Sequence, residues 1–511
     1  MRMLRFLRES NKILLCDKDR CLVFSKIKGF FMKYLKYALL SVSFLVAYPV
    51  IGQDHHYWGN QFGSRAALMS GAVVGGVRDT SAGFYNPGAL GFTGTNTFSV
   101  SANAYSIERV SIDNGAGTNM SLNSSEMNIA PLLIAGTLSF DSLPQDVFSY
   151  SLLTKTLSSI KASARRERNT DIIPAMGDTF VGNEDYVGQY LLDSHVKEMW
   201  GGLSWARKLD DHFSVGVTGF LAMRTQNQNQ SSTAFAVNGF HTARSAELLN
   251  IDFWNIRSLL KFGLAADFDA LKLGLTLTTP SINVKGKGTI AGESSSNNVA
   301  IEEGTNLDLA GTDRQEDLEV TYKSPLSVAA GFEYNFNQGK TTIAGTVEWF
   351  AQQDIYDVIV PNHHIFLHGF GKNTLYSDET LKTVDAATSV TNFALALEHA
   401  FNEKMKGYIS MRTDYANRNA EVDKNGISLG ISDWDIYHVT LGTTYKRKRS
   451  ELAIGLTYSF GNQDNFTQLD NLSGRLIDPD NDILLSGEPR KTTANYTNLS
   501  LIIGYTYFFD E

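Results

Sequence analysis

Few residues of this 511-residue chain fall into patterns that perform chemistry. The segment PNHHIFLH (361–368) gathers His363, His364 and His368. His364 and His368 share a face only on a helix, where an i, i+4 pair can take two positions around a metal ion. His55 and His56 make a second, weaker pair. Asp478, Asp480 and Asp482 alternate as at the start of a calcium loop, but the required glycine and distal glutamate are missing. Cys16 and Cys21 have the spacing of half a metal site, and no second half follows. There is no G-x-S-x-G elbow, P-loop or H-E-x-x-H motif. The sequence therefore predicts no enzyme, no metal and no cofactor.

Charged and aromatic residues offer binding chemistry instead. Arg224 falls on the inward side of its alternating segment, and so does Arg257. A buried guanidinium can pair with a ligand carboxylate or with a neighbouring carboxylate such as Glu333, and the second is the preferred reading. The segment 173–196 mixes Ile173, Met176, Phe180, Tyr186, Tyr190, Leu191 and Leu192 with acids. It predicts either a short outer helix lining an apolar groove, with Phe180, Tyr186 and Tyr190 as ligand contacts, or a self-packed loop. Arg165, Arg166 and Arg168 read as solvated charge within reach of lipid phosphates.

The elements that must carry these residues are strands. Net charge is −9 with a pI near 5.6, which argues against a nucleic-acid partner. A mean hydropathy of −0.16 is too polar for a bundle of membrane helices. From Met32, MKYLKYALLSVSFLVAYPVIGQ has the basic start, apolar centre and small-residue end of a signal peptide, 32–52. Residues 1–31 are then an upstream extension, from either a misassigned start or a longer n-region, and both cysteines leave with it. Beyond residue 52, ELAIGLTYSF (451–460) sets Leu452, Ile454, Leu456, Tyr458 and Phe460 against Ala453, Gly455, Thr457 and Ser459. Segments 212–224, 270–279, 325–336 and 497–509 repeat this period of two, the mark of strands with one apolar face.

Three features select a membrane barrel over a soluble sandwich. Small residues dominate the second face, aromatics gather at strand ends, and connections alternate in length. Short ones fall near 141–145, 209–211, 268–270, 337–339, 402–404 and 446–449. Long ones fall near 113–126, 157–196, 227–250, 286–318, 354–389, 419–433 and 461–495. The expectation is an all-β, transmembrane antiparallel β-barrel of about fourteen strands over 96–511, in the outer membrane, with both termini facing the periplasm. Its sheet must close because an unpaired backbone group in hydrocarbon costs several kcal/mol.

Residues 53–95 precede the first strand and have no regular period. Arg65 to Val74 could form a short helix before glycines break it. Such a segment cannot sit in lipid but can sit inside a lumen, so it predicts a plug entering from the periplasmic side. Within it, GSRAALMSGAVVGGVRDTSAGFYNPGALGF resembles the N-terminal hatch of the FadL/TodX family of outer-membrane transporters for hydrophobic compounds. The resemblance rests on Asp79 and on the block Phe84, Tyr85, Asn86, Pro87, Gly88, Ala89 and Leu90. Residues 127–140 and 322–350 resemble strands of the same family. Gly88 stands where the family often has alanine, and Phe509 is followed by Asp510 and Glu511 rather than ending the chain.

The resemblance implies a fourteen-stranded barrel with a hatch, and passive uptake of hydrophobic compounds such as long-chain fatty acids. It implies gating by Asp79 and Phe84 to Gly88, and sideways release into the membrane through a defect in the wall. Expected partners are an apolar small molecule and outer-membrane lipid. The alternatives are a secretion or surface-attachment scaffold of the same build, with secretion proteins as partners, and a general porin.

Overall fold

The computed structural model describes residues 14–17, 20–23, 55–93, 96–175, 177–302, 305–306, 308–369, 374–474, 476–477 and 483–509. The chain forms two compact units, Met1–Tyr48 and Pro49–Glu511. In the first, Leu14–Asp17 and Arg20–Val23 pair as an antiparallel hairpin. The predicted signal peptide, the aspartates at 478–482 and the last two residues lie outside the described residues.

The second unit is a closed barrel of fourteen strands. They are β1 (Thr97–Ile112), β2 (Leu122–Ser139), β3 (Asp146–Thr170), β4 (Glu184–Lys208), β5 (Phe213–Asn238) and β6 (His241–Phe268). β7 has two segments, Leu271–Thr278 and Ile282–Asn297, as does β8, Leu309–Glu319 and Ser327–Phe336. Then come β9 (Thr341–Phe350), β10 (Val390–Asn402), β11 (Met405–Asp414), β12 (Asp435–Arg447), β13 (Ser450–Thr467) and β14 (Lys491–Phe508). β14 runs antiparallel to β1 from Ala494↔Ile112 to Phe508↔Thr97 and closes the sheet.

The faces are reversed relative to a protein in water. On β13 the large row Leu452, Ile454, Leu456, Tyr458 and Phe460 is exposed, while Ala453 is fully buried. Leu203 on β4 is 74% exposed. Only hydrocarbon solvates such a belt favourably.

Three of the expected long loops are largely strand, and in one of them, 286–318, β7 continues to Asn297 and β8 starts at Leu309. β3 continues to Thr170 and β4 starts at Glu184, so no helix forms in 184–196. β5 continues to Asn238 and β6 starts at His241, joined only by Gly239 and Phe240. The physical reason is plain. Backbone pairing is indifferent to side-chain polarity, so the end of the apolar row marks the edge of the membrane and not the end of the strand.

Residues 55–93 fill the lumen. α1 (Ser64–Leu68) is shorter than the predicted helix, because Ser70 and Gly71 turn the chain with φ of 50° and 80°. α2 (Ala82–Tyr85) leads into a 3-10 turn, Pro87–Phe92. A β-carbon at Gly216 would overlap the Pro87 carbonyl, and one at Gly274 the Val74 carbonyl. The small inward residues are therefore the seat of the hatch and not the lining of an open pore. The first described residues of this unit, His55 to Trp58, lie away from the periplasmic side expected for the N-terminus. His55 N–H donates to Ser432 Oγ (3.0 Å) and Trp58 N–H to Asp414 Oδ1 (3.0 Å), both at the long-loop end of the barrel.

The wall is interrupted where two prolines face each other. β7 breaks at Pro280 and β8 at Pro325, since proline supplies no N–H to a ladder. Below the break, Leu271–Thr278 pairs with Ser327–Tyr334; above it, β7 pairs with β8 from Lys287↔Glu319 onward. Between them Ser281 N–H reaches Ser324 O (3.1 Å) and Val320 N–H reaches Gly286 O (3.3 Å). Thr321 N–H turns away to Val358 O (3.0 Å). The Val320 carbonyl instead takes side-chain amides from Asn255 (3.2 Å) and Asn283 (3.3 Å).

Candidate functional site

The hatch is held and faced by two different sets of wall residues. On one flank α1 carries Arg65. Its Nη2 lies 2.9 Å from Glu333 Oε2 and its Nε 2.7 Å from Glu398 Oε2. Lys272 and Lys406 take the other oxygens of these carboxylates at 3.0 and 2.8 Å. The result is an alternating row, Lys272–Glu333–Arg65–Glu398–Lys406, in which every charge has an opposite neighbour. At the rim, Arg78 pairs with Asp267 (2.9 Å).

On the other flank a cavity of about 100 Å³ lies between the hatch and β3 to β9, reaching the wall break at Tyr322–Pro325. Phe84 projects into it from α2, edge-on to Phe62, Tyr85, Trp200 and Phe220. Two ammonium groups sit over the Phe84 ring, Lys155 at 5.3 Å and Lys261 at 4.7 Å from its centre. Lys155 also donates to the Tyr57 carbonyl. Lys261 is buried and, among the described residues, its ammonium has no hydrogen bond or ion pair. Cation–π attraction offsets only part of the cost of burying such a charge.

The carboxylates of the cavity are already engaged. Glu198 Oε1 meets Arg257 Nη2 at 2.6 Å and its Oε2 meets Arg224 Nη1 at 3.3 Å. Glu348 accepts from Trp58 Nε1 (2.7 Å) and Ser327 Oγ (2.7 Å), and Asp385 from Tyr356 OH (2.8 Å). Both guanidiniums also stack over Tyr322, at 4.3 and 5.0 Å, and so grip the interrupted stretch of β8. The cavity is left with aromatic rings and surplus positive charge.

Above it, a larger space of about 350 Å³ lies among the long loops, lined by Leu248, Leu249, Phe366, Leu367 and Leu381 with Asp470. Asp470 accepts from Ser232 Oγ (2.6 Å), and burial pushes its pKa up.

The predicted site residues divide among these places. Phe84 and Tyr85 line the inner cavity. Tyr85 OH donates to Gln61 Oε1 (2.8 Å) and accepts from Phe62 N–H (2.9 Å); burial raises its pKa, so the donor proton stays. Asn86 is a staple. Its Oδ1 accepts from Gly88 N–H (3.0 Å), and its Nδ2 donates to Val74 O and Leu264 O (both 3.0 Å). Pro87 opens the 3-10 turn, where its missing N–H costs nothing. Gly88 lies against the Gly263 backbone. Asp79 caps a turn by accepting from Ser81 N–H (2.8 Å). Arg224 lines the inner cavity, and its wall partner is Glu198 rather than Glu333.

Tyr190 lines the outer space. Phe180 packs on His241, and Tyr186 OH donates to Leu485 O (2.9 Å); neither lines a cavity described above. His364 is followed by a strand, Ile365–Gly369, so the helix required for the His364/His368 pair is absent. His55 and His56 are spent on the Ser432 and Trp434 carbonyls, at 3.0 and 2.9 Å.

Lys155, Lys261, Glu198, Tyr322 and Arg65 escaped the sequence reading. Parity exposes Lys261, which shares the inward row of Leu259, Gly263 and Ala265. It does not expose Lys155, because β3 slips register between Thr154 and Thr156.

Fold and site together define a plugged outer-membrane β-barrel. No family model matches the chain, and no curated protein sequence does. Solved structures are similar to it. A Pseudomonas aeruginosa FadL homologue aligns with a TM-score of 0.53 at 11% identity, covering 90% of this chain and 100% of that one. CymD, a monoaromatic hydrocarbon channel, aligns with a TM-score of 0.50 at 11% identity, covering 88% and 98%. The chain shares the fold of these FadL-type channels.

Proposed function

We propose that the barrel is a channel for passive uptake of hydrophobic compounds, with carboxylate-bearing ones such as long-chain fatty acids as its preferred cargo. The observation that carries this reading is the cavity around Phe84, where apolar rings adjoin two ammoniums that, among the described residues, form no ion pair. A neutral hydrocarbon, the cargo named for CymD, needs no such charge. An acid needs it, because a carboxylate leaving water must find cations or hydrogen-bond donors.

The route starts in the outer space among the long loops, passes the inner cavity and leaves through the Pro280/Pro325 break. The inner cavity of about 100 Å³ is smaller than the roughly 150 Å³ that accommodates benzene in a protein core. Passage therefore requires the hatch to shift, with Phe84 moving off the two lysines as the ligand carboxylate replaces it.

The test is mass spectrometry of small molecules that co-purify with the protein extracted in mild detergent, compared with Lys155→Gln/Lys261→Gln. Retained carboxylic acids that fall about tenfold in the variant support the reading. Neutral hydrocarbons retained equally by both would keep the channel and overturn the acid preference. An empty lumen with a tightly bound protein would favour the secretion scaffold.

A further inference from the structure

The short-turn rim is divided by charge. The turns joining β8 to β9, β10 to β11 and β12 to β13 are neighbours, and they carry Lys340, Lys404 and the run Lys446, Arg447, Lys448, Arg449. Glu403 is the one acid within these turns. The turns joining β2 to β3, β4 to β5 and β6 to β7 carry Asp141, Asp210, Asp211 and Asp269, and the cations at the end of β4, Arg207 and Lys208, are paired with Asp146 and Asp211. Among the described residues, Lys340, Lys404, Arg447 and Lys448 are exposed and form no ion pair.

These cations stand immediately outside a row of exposed aromatics on the same strands: Tyr334, Phe336, Phe401 and Tyr445. Outward aromatics at strand ends mark the boundary of the hydrocarbon, where amphipathic rings reside. The next layer outward is that of the lipid phosphates. Cations placed there are within reach of headgroups, while the stems of the lysines lie along the aromatic belt.

We propose that this sector of the rim binds the headgroups of anionic phospholipids in the periplasmic leaflet, and that the acidic sector excludes them. The barrel then carries an asymmetric lipid collar with its anionic side beneath β8 to β13. Long basic side chains hold such headgroups with roughly a fivefold gain per cation near the surface.

Native mass spectrometry of the purified protein, titrated with phosphatidylglycerol and phosphatidylethanolamine in equal amounts, tests this. The wild type retains phosphatidylglycerol preferentially. Lys404→Gln/Arg447→Gln/Lys448→Gln lowers that preference at least tenfold, whereas Lys404→Arg/Lys448→Arg and Asp210→Asn/Asp211→Asn keep it. If the triple glutamine variant does not assemble, the wild type at 1 M salt, where screening reaches about 3 Å, loses the preference in its place. Equal retention of the two lipids by the wild type overturns the proposal. So does a preference unchanged by both the triple variant and salt, or a salt-sensitive acidic protein bound at this rim without lipid selectivity.

Discussion

The two flanks of the hatch solve opposite problems with the same kind of residue. Around α1, Arg65 is enclosed by Glu333 and Glu398, and each carboxylate has a lysine behind it. Around α2, Lys155 and Lys261 face a phenyl ring, and the nearby carboxylates are committed elsewhere. Burying a charge is costly in both places, but only the first recovers most of the cost internally. The matched flank fastens the hatch. The unmatched flank leaves electrostatic demand that an arriving anion can satisfy. The fastening residue Arg65 and the ring of the proposed binding flank, Phe84, are thus separated by only 19 residues of one small domain.

The largest effect expected is from breaking the matched flank. Arg65→Met leaves Glu333 and Glu398 facing each other's charge with only one lysine apiece, and removing one partner of a buried pair typically costs about 3–5 kcal/mol. Because Lys272 and Lys406 remain, the barrel itself should assemble. Hydrogen exchange of residues 64–92 should rise by orders of magnitude while strands β3 to β6 stay protected. Planar-bilayer recordings should show a leak of small ions absent from the wild type. A protected hatch in this variant would mean that packing, not the charge row, holds it.

A smaller effect separates packing from charge. Gly263→Ala places a methyl against Asn86 and the Gly88 backbone, beneath the 3-10 turn. Overpacking of this kind costs roughly 1–3 kcal/mol. Exchange should increase in residues 82–92 and less in 64–68. Equal loosening of both parts would show that the hatch moves as one body and that the two flanks are not independent.

How far the sequence discloses these features follows from what each depends on. Strand parity is local, so the barrel, its strand number and the outward rows of β13 and β14 are visible in residue order. The hatch is visible because an apolar, irregular segment has nowhere else to go. The ends of β3 to β6 are hidden, since polar alternation outside the membrane resembles a loop. Glu198 and its two arginines lie 26 and 59 residues apart, and their meeting depends on strand register. The same register pairs Glu198 with Arg224 across β4 and β5, which a one-residue slip would point to opposite faces. Lys155 sits in a register shift, so even correct parity misplaces it.

The most discriminating prediction is small in size and opposite in sign to the first. Lys261→Met removes a buried cation that has a ring but no carboxylate within ion-pair distance, and replaces it with an apolar chain of similar length. The lost attraction to Phe84 is worth about 0.5–2 kcal/mol, while the lost desolvation cost is larger for a charge without a counter-ion. The variant should therefore resist urea unfolding as well as the wild type or better, by about 1 kcal/mol. It should also protect Phe84 and its neighbours from exchange at least as well as the wild type. The same substitution that strengthens the resting hatch should weaken retention of fatty acids, because the head group loses a cation. Arg65→Met and Lys261→Met both delete one positive charge from the lumen, so general electrostatics would move them in the same direction. Only a division between a fastening flank and a binding flank makes one variant loose and the other tight but empty. If Lys261→Met destabilises the hatch as Arg65→Met does, the cation is a structural anchor, and the distinction between the flanks fails.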